Sequence, residues 1–167
     1  MRTLLLLRHA KSSWGNASLP DIARPLNERG RRAAPLIGGE MRRRGALPDL
    51  VLCSPATRTR ETLELLRVAA KLDAPVRFDE RIYEASAHDL LQVIADVEDE
   101  CAAVLIVGHN PGLENLLLHF TSEVHTMPTA ALAALTLDSA GWRDAPHSVT
   151  ARLDWFVKPR DLDCTVT

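Results

Sequence analysis

The chain has 167 residues, 46% of them hydrophobic and 25% charged, and its 20 basic and 22 acidic side chains give a net charge of −2. That length predicts a single domain over residues 1–167, and the composition is that of a globular protein, which excludes disordered and fibrous classes. The balanced charge argues against a nucleic-acid binder, and no apolar run is long enough to predict a membrane span.

Short apolar runs predict strands that are buried on both faces of a sheet. These runs are rich in Leu, Val and Ile, too short for helices and without polar alternation. They lie at 3–7, 50–53 and 104–107. A weaker strand is predicted at 76–78, and partial alternation at 131–137 and 149–157 favours edge or antiparallel strands.

Helical patterns lie between these strands, at 56–72, 87–97 and 111–120. Ser54 is the expected N-cap of the first helix, and Pro55 fits its first position. Ser86 and Asn110 are the expected N-caps of the other two. A further segment, 27–44, contains Pro35, Gly38 and Gly39, which predict a kink or a late start. Strands that alternate with helices imply an α/β sandwich around a mostly parallel sheet.

Unusual side chains follow three of the predicted strands. The first strand leads into Arg8 and His9, the second into Ser-Pro-x-x-Arg58, and the run at 104–107 into Gly-His109-Asn-Pro. Each motif alone is a pattern that arises by chance, but the carboxyl ends of parallel strands converge at one edge of a sheet. Guanidiniums and helix N-termini bind phosphate oxygens, and an unprotonated imidazole nitrogen can attack phosphorus. The three motifs together predict a phosphoryl-transfer site.

These motifs resemble the signature of the histidine phosphatase superfamily, and in particular its SixA-type phosphohistidine phosphatases. The stretches that carry the resemblance are Arg8-His-Ala-Lys-Ser12 with Trp14 behind it, Arg24-Pro-Leu26, Ser54-Pro-x-x-Arg58, Gly108-His-Asn-Pro111 and Met127-Pro-Thr129. The resemblance covers about residues 3–137. It implies a phosphoglycerate mutase-like fold, a three-layer α/β/α sandwich, and phosphatase activity without a cofactor or a metal.

The resemblance also implies roles for individual residues. His9 is the expected nucleophile, which becomes phosphorylated during turnover. The expected phosphate-binding residues are Arg8, Ser12, Arg58 and His109. Glu84 is the best match to the general acid of the family, although it is equally well explained as an ordinary charged residue before a helix.

One departure from the family pattern bears on the reaction. Gly15 follows Trp14 where mutases and many larger phosphatases have asparagine, and Asn16 comes one position later. The chain also lacks the long insertions with which mutases cover their pocket. Because a mutase must keep water from its intermediate, a short open site favours hydrolysis. The expected substrate is a phosphorylated protein with a phosphohistidine domain. A small phosphomonoester, or a binding module without turnover, remains an alternative.

Two further features of the sequence, its cysteines and a concentration of arginines, bear on the cellular location and the partners of the protein. Cys53, Cys101 and Cys164 are odd in number and widely spaced, which predicts reduced thiols and a cytoplasmic location. Arginines concentrate between Arg29 and Arg44, a pattern usually found on a solvated helix face, although it can also guide an acidic partner. Neither nucleic acid nor a membrane is expected as a partner.

Overall fold

A six-stranded sheet forms the centre of the computed structural model, which describes residues 1–147 and 149–162. The strands are β1 (Arg2–Arg8), β2 (Leu50–Cys53), β3 (Val76–Phe78), β4 (Ala103–Gly108), β5 (Leu132–Leu137) and β6 (Ala151–Val157). The helices are α1 (Glu28–Arg44), α2 (Thr57–Ala70), α3 (Ala87–Ala95), α4 (Gly112–Thr121) and α5 (Pro159–Leu162). No helix in these two stretches is long and apolar enough to cross a membrane.

The strands of the sheet, in the order β3-β2-β4-β1-β5-β6, are mostly parallel. β1 pairs in parallel with β4, and β2 pairs in parallel with both β3 and β4. Of the strands described, only β5 is antiparallel to its two neighbours, so five of the six run in one direction. The predicted sheet is therefore confirmed, and the carboxyl ends of β1, β2 and β4 lie together at one edge.

Helices cover both faces of the sheet. Leu4 and Leu6 of β1 pack in the core formed with α3 and α4, whereas Leu5 and Leu7 pack in the core formed with α1 and α2. All four leucines are at most 1% exposed. Because successive side chains of a strand point to opposite faces, a strand between two helical layers needs apolar residues throughout. The structure is thus the predicted three-layer α/β/α sandwich.

The start of α2 differs from the prediction. The helix begins at Thr57, Ala56 occupies the N-cap position, and no side chain caps it. The hydroxyl of Ser54 instead lies 2.7 Å from Nε2 of His109. The predicted Ser54 cap is wrong because its hydroxyl has a partner that follows a different strand, which local sequence does not reveal.

The start of α4 also differs from the prediction. The helix begins at Gly112 with Pro111 as its N-cap, so Asn110 is not the cap. The side-chain amide of Asn110 donates to Glu114 Oε1 at 2.8 Å and to the carbonyl of Met127 at 2.9 Å. Asn110 therefore ties the first turn of α4 to the segment that precedes β5.

The first helix is continuous from Glu28, so its predicted late start is wrong. Asn27 caps it by accepting from the backbone N–H of Gly30 at 2.9 Å, and the helix runs through Pro35. A Cβ atom on Gly38 would lie 2.5 Å from the carbonyl oxygen of Leu66 in α2. Close packing of the two helices, which Gly38 permits, compensates for the poor helix propensity of this segment.

Candidate active site

The structure brings together the side chains that follow β1, β2 and β4. The rings of His9 and His109 have their centroids 5.2 Å apart and are tilted by 54°. The guanidiniums of Arg8 and Arg58 lie close enough to act on the charge of both imidazoles. These four residues are the set that the three sequence motifs predict at one sheet edge.

His9 is held as a neutral imidazole with one free nitrogen. Its Nδ1 lies 2.7 Å from the carbonyl oxygen of Ala10, and because a carbonyl only accepts, Nδ1 carries the proton and Nε2 keeps its lone pair. Burial, reinforced by the positive charges of Arg58 and Arg8, lowers the pKa of His9 to about 4. At neutral pH the ring therefore presents an unprotonated Nε2, the state that a nucleophile requires.

His109 is also neutral, and its other nitrogen is available as a donor. The hydroxyl of Ser54 accepts from the backbone N–H of Ala56 at 3.3 Å, and it can donate its own hydrogen to Nε2 of His109, which lies 2.7 Å away. In that arrangement the proton of the ring is on Nδ1. Burial, followed by the charge of His9 in its protonated form and the charge of Arg58, lowers the pKa of His109 to about 3. In the tautomer that accepts from Ser54, neutral His109 offers an Nδ1–H dipole before a substrate binds.

Three side-chain nitrogens near His9 are buried without a hydrogen-bond partner among the residues described: Arg8 Nε, Arg58 Nε and His109 Nδ1, the last a donor when Nε2 accepts from Ser54. A buried donor without an acceptor is costly, so native structures rarely leave several in one place. Oxygens of a phosphoryl group would satisfy all three, and the guanidiniums would supply charge-assisted hydrogen bonds. This arrangement, which we call the anion site, has the donors that an anion would need beside an imidazole that could act as a nucleophile.

Asp21, which the sequence motifs do not reveal, holds three residues of the site in place. It lies in a short 3₁₀ helix, Asp21–Ala23, before α1. Arg58 donates to its backbone carbonyl at 2.8 Å and to Oδ2 at 3.1 Å, Tyr83 donates its hydroxyl to Oδ2, and Arg24 donates to Oδ1. These hydrogen bonds hold the pKa of Asp21 well below its usual range. The one available sequence signal is the spacing of Asp21 and Arg24, which suits an ion pair three residues apart.

Ser12 lies beside the site, with its hydroxyl engaged by a neighbour. Its Oγ accepts from Arg24, whose guanidinium stacks 3.6 Å from the ring centroid of Trp14. Asn16 is exposed, and its side-chain oxygen accepts from the backbone N–H of Ser18 in its own loop. The contact of Ser12 is thus with Arg24, and its role in phosphate binding stays a prediction.

Comparison with known proteins agrees with this geometry. Residues 4–102 match the family model of the histidine phosphatase superfamily (branch 1). The chain belongs to this superfamily.

Individual similar proteins support the same family assignment. A Mycobacterium tuberculosis protein of uncharacterised function is 34% identical, and the match covers 90% of this chain and 99% of that protein. SixA from Agrobacterium tumefaciens, a candidate phosphohistidine phosphatase, is 31% identical with a TM-score of 0.82 and covers 95% of this chain and 98% of its own. A protein histidine phosphatase SixA in complex with tungstate matches with a TM-score of 0.82, and the match covers 96% of this chain and 99% of that chain. At 22% identity, this match shows the fold alone. The chain is a phosphatase of the SixA-like branch.

In this histidine phosphatase, Glu84 is not part of the buried set. Its side chain is exposed, its φ is 55°, and it makes no hydrogen bond or ion pair within residues 1–147 and 149–162. The neighbouring Tyr83 instead presents its ring edge-on to His109 at 5.6 Å. Burial, followed by the hydrogen bond to Asp21, raises the pKa of Tyr83 to about 12. The role of Glu84 as general acid stays a prediction.

Metal-binding side chains do not cluster at this site. Among the residues that the structure describes, no group of three or more His, Cys, Asp or Glu side chains could hold a metal ion. Arg8, Arg58 and His109 are side chains of the kind that bind phosphoryl oxygens directly.

Proposed function

We propose that this phosphatase works through a phosphohistidine at His9 and acts on phosphohistidine in proteins, without a metal. The observation that carries the proposal is the set of three buried nitrogens, unpartnered in the described structure, near an imidazole whose Nδ1 contact leaves the Nε2 lone pair free. Phosphate hydrolysis itself is supported by the superfamily match together with the similarity to SixA. The specific substrate is supported by the chemistry of the leaving group.

In the first step, Nε2 of His9 attacks phosphorus, a P–N bond forms, and the bond from phosphorus to the leaving group breaks. Water then attacks the phosphohistidine, the P–N bond to His9 breaks, and inorganic phosphate and free His9 result. Arg8, Arg58 and the Nδ1–H of His109 would stabilise the charge on the transferring oxygens in both steps. In this scheme Ser12 contributes indirectly, because its hydroxyl accepts a hydrogen bond from the guanidinium of Arg24.

When its bond to phosphorus breaks, the leaving group must receive a proton. Because Glu84 is exposed, it is poorly placed to supply that proton, and this affects which substrates the site can hydrolyse. An imidazole leaves more readily than an alkoxide and depends less on a general acid. Glu84 can reach a leaving group only from the rim, because it is exposed and outside the buried set. This weak assistance favours phosphohistidine over ordinary phosphomonoesters, and an open rim favours a protein over a small molecule.

The test is hydrolysis of a protein that carries labelled phosphohistidine, in the presence of EDTA. We expect release of labelled phosphate by the wild-type protein, no release by His9→Ala, and normal release by His88→Ala, which removes an exposed histidine outside the site. Hydrolysis rates are also measured on a phosphoserine peptide and on sugar phosphates, so that the three classes of substrate can be compared. Unchanged turnover by His9→Ala would contradict the mechanism, and faster hydrolysis of the sugar phosphates would contradict the substrate.

A trapped intermediate separates an enzyme from a module that only binds phosphate. Phosphohistidine is labile to acid and stable to base, so brief exposure to a phosphodonor should label His9 with these properties. Label that forms and decays indicates turnover, whereas reversible binding without label would indicate a binding module.

We also propose a cytoplasmic location. Cys53 and Cys101 are free thiols in the described structure, which suits a reducing compartment. Cys164 lies outside the described residues.

A further inference from the structure

A second concave site, the basic cavity, lies beside the anion site at the same edge of the sheet. It has a volume of about 400 Å³, and the described residues that line it include four cationic side chains, two threonines and no carboxylate. These side chains are Lys11, Arg29, Thr126, Thr129, Lys158 and Arg160. They come from separate segments: the end of β1, the start of α1, the approach to β5 and the region after β6.

Three of the four cationic side chains that line the basic cavity have no ion pair in the described structure. Lys11, Arg29 and Lys158 form none within the described part of the chain, whereas other arginines of α1 do, such as Arg43 and Arg44 with Glu40. The nearby carboxylate of Asp161 accepts from the backbone N–H of Lys158 at 3.0 Å. Glu28, next to Arg29, lies 4.0 Å from Arg32 instead. Cationic side chains without counter-charges in a concave surface attract anionic ligands.

The basic cavity and the anion site share a wall. Thr126, Pro128 and Thr129 line the cavity. In the same segment, the carbonyl of Met127 accepts from Arg8 at 3.0 Å and the N–H of Ala130 donates to the carbonyl of His9 at 3.0 Å. Lys11 follows His9 by two residues, and its carbonyl accepts from the N–H of Asn27 at the start of α1. A ligand whose phosphoryl group reaches His9 would therefore have its adjoining part over the cavity.

We propose that the basic cavity binds carboxylates of acidic residues that flank the phosphorylated residue of a protein substrate. This inference rests on the proposed function and adds a recognition site to it. The cationic groups are exposed or half-buried, and they come from several segments instead of converging with backbone amides on one point. That dispersed arrangement suits several carboxylates on a protein surface better than one tightly held small anion.

The catalytic test uses the double variant Arg29→Gln/Lys158→Gln and two phosphohistidine peptides, one with Asp and Glu around the phosphohistidine and one with Asn and Gln. We expect kcat/KM on the acidic peptide to fall by about three- to tenfold through KM, since exposed charge pairs contribute modestly. Rates on the neutral peptide and on a small aryl phosphate should stay unchanged. An equal fall on both peptides, or no fall, would overturn the inference.

The matched control is Arg42→Gln/Arg143→Gln, which changes the net charge equally. Both arginines are exposed, form no ion pair in the described structure and do not line the basic cavity. This control should behave as wild type on both peptides. If it loses as much activity on the acidic peptide, the effect comes from overall charge and the proposed site is wrong.

A binding measurement tests the cavity without any turnover. A fluorescein-labelled, unphosphorylated peptide rich in Asp and Glu should bind the wild-type protein and the control more tightly than Arg29→Gln/Lys158→Gln, by fluorescence anisotropy. Equal binding by all three would overturn the inference. A selective loss on a small bisphosphate, with no effect on acidic peptides, would assign the cavity to a small anion. If wild type hydrolyses neither phosphopeptide, the proposed function fails while anisotropy still decides whether the cavity binds acidic segments.

Discussion

At the scale of single residues, the orientation of Arg58 depends on Asp21. Two terminal nitrogens of Arg58 are occupied by Asp21, one by its backbone carbonyl and one by its carboxylate. The remaining nitrogen, Nε, is buried and has no partner in the described chain. Asp21 thus holds the planar guanidinium in place while Nε and one N–H on each terminal nitrogen stay unused by Asp21, and we expect Asp21 to be a positioning residue.

We therefore expect Asp21→Asn to lower kcat/KM by about tenfold, because a hydrogen bond to a charged group is lost from a partly exposed site. The isosteric amide keeps the backbone contact and the shape of the loop. Asp154→Asn is the control, since Asp154 is a carboxylate of β6 that bonds Thr136 and Arg152 away from the site. Steady-state kinetics on one substrate compare the two variants, and equal rates would argue against positioning by Asp21.

The lowered pKa of His9 sets the pH dependence of the reaction. Protonation of Nε2 removes the nucleophile, so kcat/KM should fall on the acid side near pH 4, well below the ordinary histidine value of 6.5. The measurement is a pH–rate profile corrected for ionisation of the substrate. An acid limb near pH 6.5 that persists after this correction would contradict the buried, neutral state of His9.

The same two histidines make folding stability sensitive to acid. His9 and His109 have lower pKa values in the folded chain than in the unfolded one, so between about pH 6.5 and 4 the unfolded state binds more protons. The free energy of unfolding should therefore decrease as the pH falls through this window. Urea unfolding at pH 7 and pH 5 measures it, and His9→Ala should reduce the difference between the two.

At the scale of elements, the sequence predicts correctly those strands and helix caps that depend on contacts between residues close together in the chain. The strands are found where apolar runs predict them, and Ser86 caps α3 as predicted, through the N–H of Asp89, although α3 ends at Ala95. Ser54 and Asn110 look equally like caps, yet their partners lie in distant parts of the chain. The contacts of Asp21 are likewise tertiary, and no periodicity in its loop indicates them.

The paired glycines of α1 offer a test of helix packing. Gly38→Ala should lower the free energy of unfolding by about 1–3 kcal/mol, because its Cβ would meet the backbone of Leu66. Gly39→Ala is the matched control: no atom lies within 4 Å of a Cβ there, and alanine favours a helix by about 0.5–1 kcal/mol. Urea midpoints should move in opposite directions. A shift in the same direction would contradict the close approach of α1 and α2.

At the scale of the whole molecule, the anion site lies at an open edge of the sheet. The segments that border it in the described structure are short connections, and the longest of them, between β1 and α1, folds back to place Asp21 on Arg58. No inserted helical layer covers this edge within residues 1–147 and 149–162. We therefore expect water to reach a phosphorylated His9 from this edge.

We expect the phosphoenzyme to transfer its phosphoryl group to water even when another acceptor is present. Labelled phosphoenzyme mixed with a large excess of a sugar phosphate should yield inorganic phosphate as its main product, because nothing keeps water from the intermediate. Product separation after a single turnover measures the ratio. A sugar bisphosphate as the main product would indicate mutase chemistry.

Because β1 lies between two other strands of the sheet and leads directly into His9, the geometry of the active site depends on the whole fold staying intact. β1 is hydrogen-bonded along both edges, to β4 and β5, and directly beyond it the N–H of His9 donates to Gly108 while its carbonyl accepts from Ala130. Segments of this kind open only when a protein unfolds globally. The amide of His9 should accordingly be among the slowest to exchange with deuterium, and heating should abolish activity and structure at one temperature.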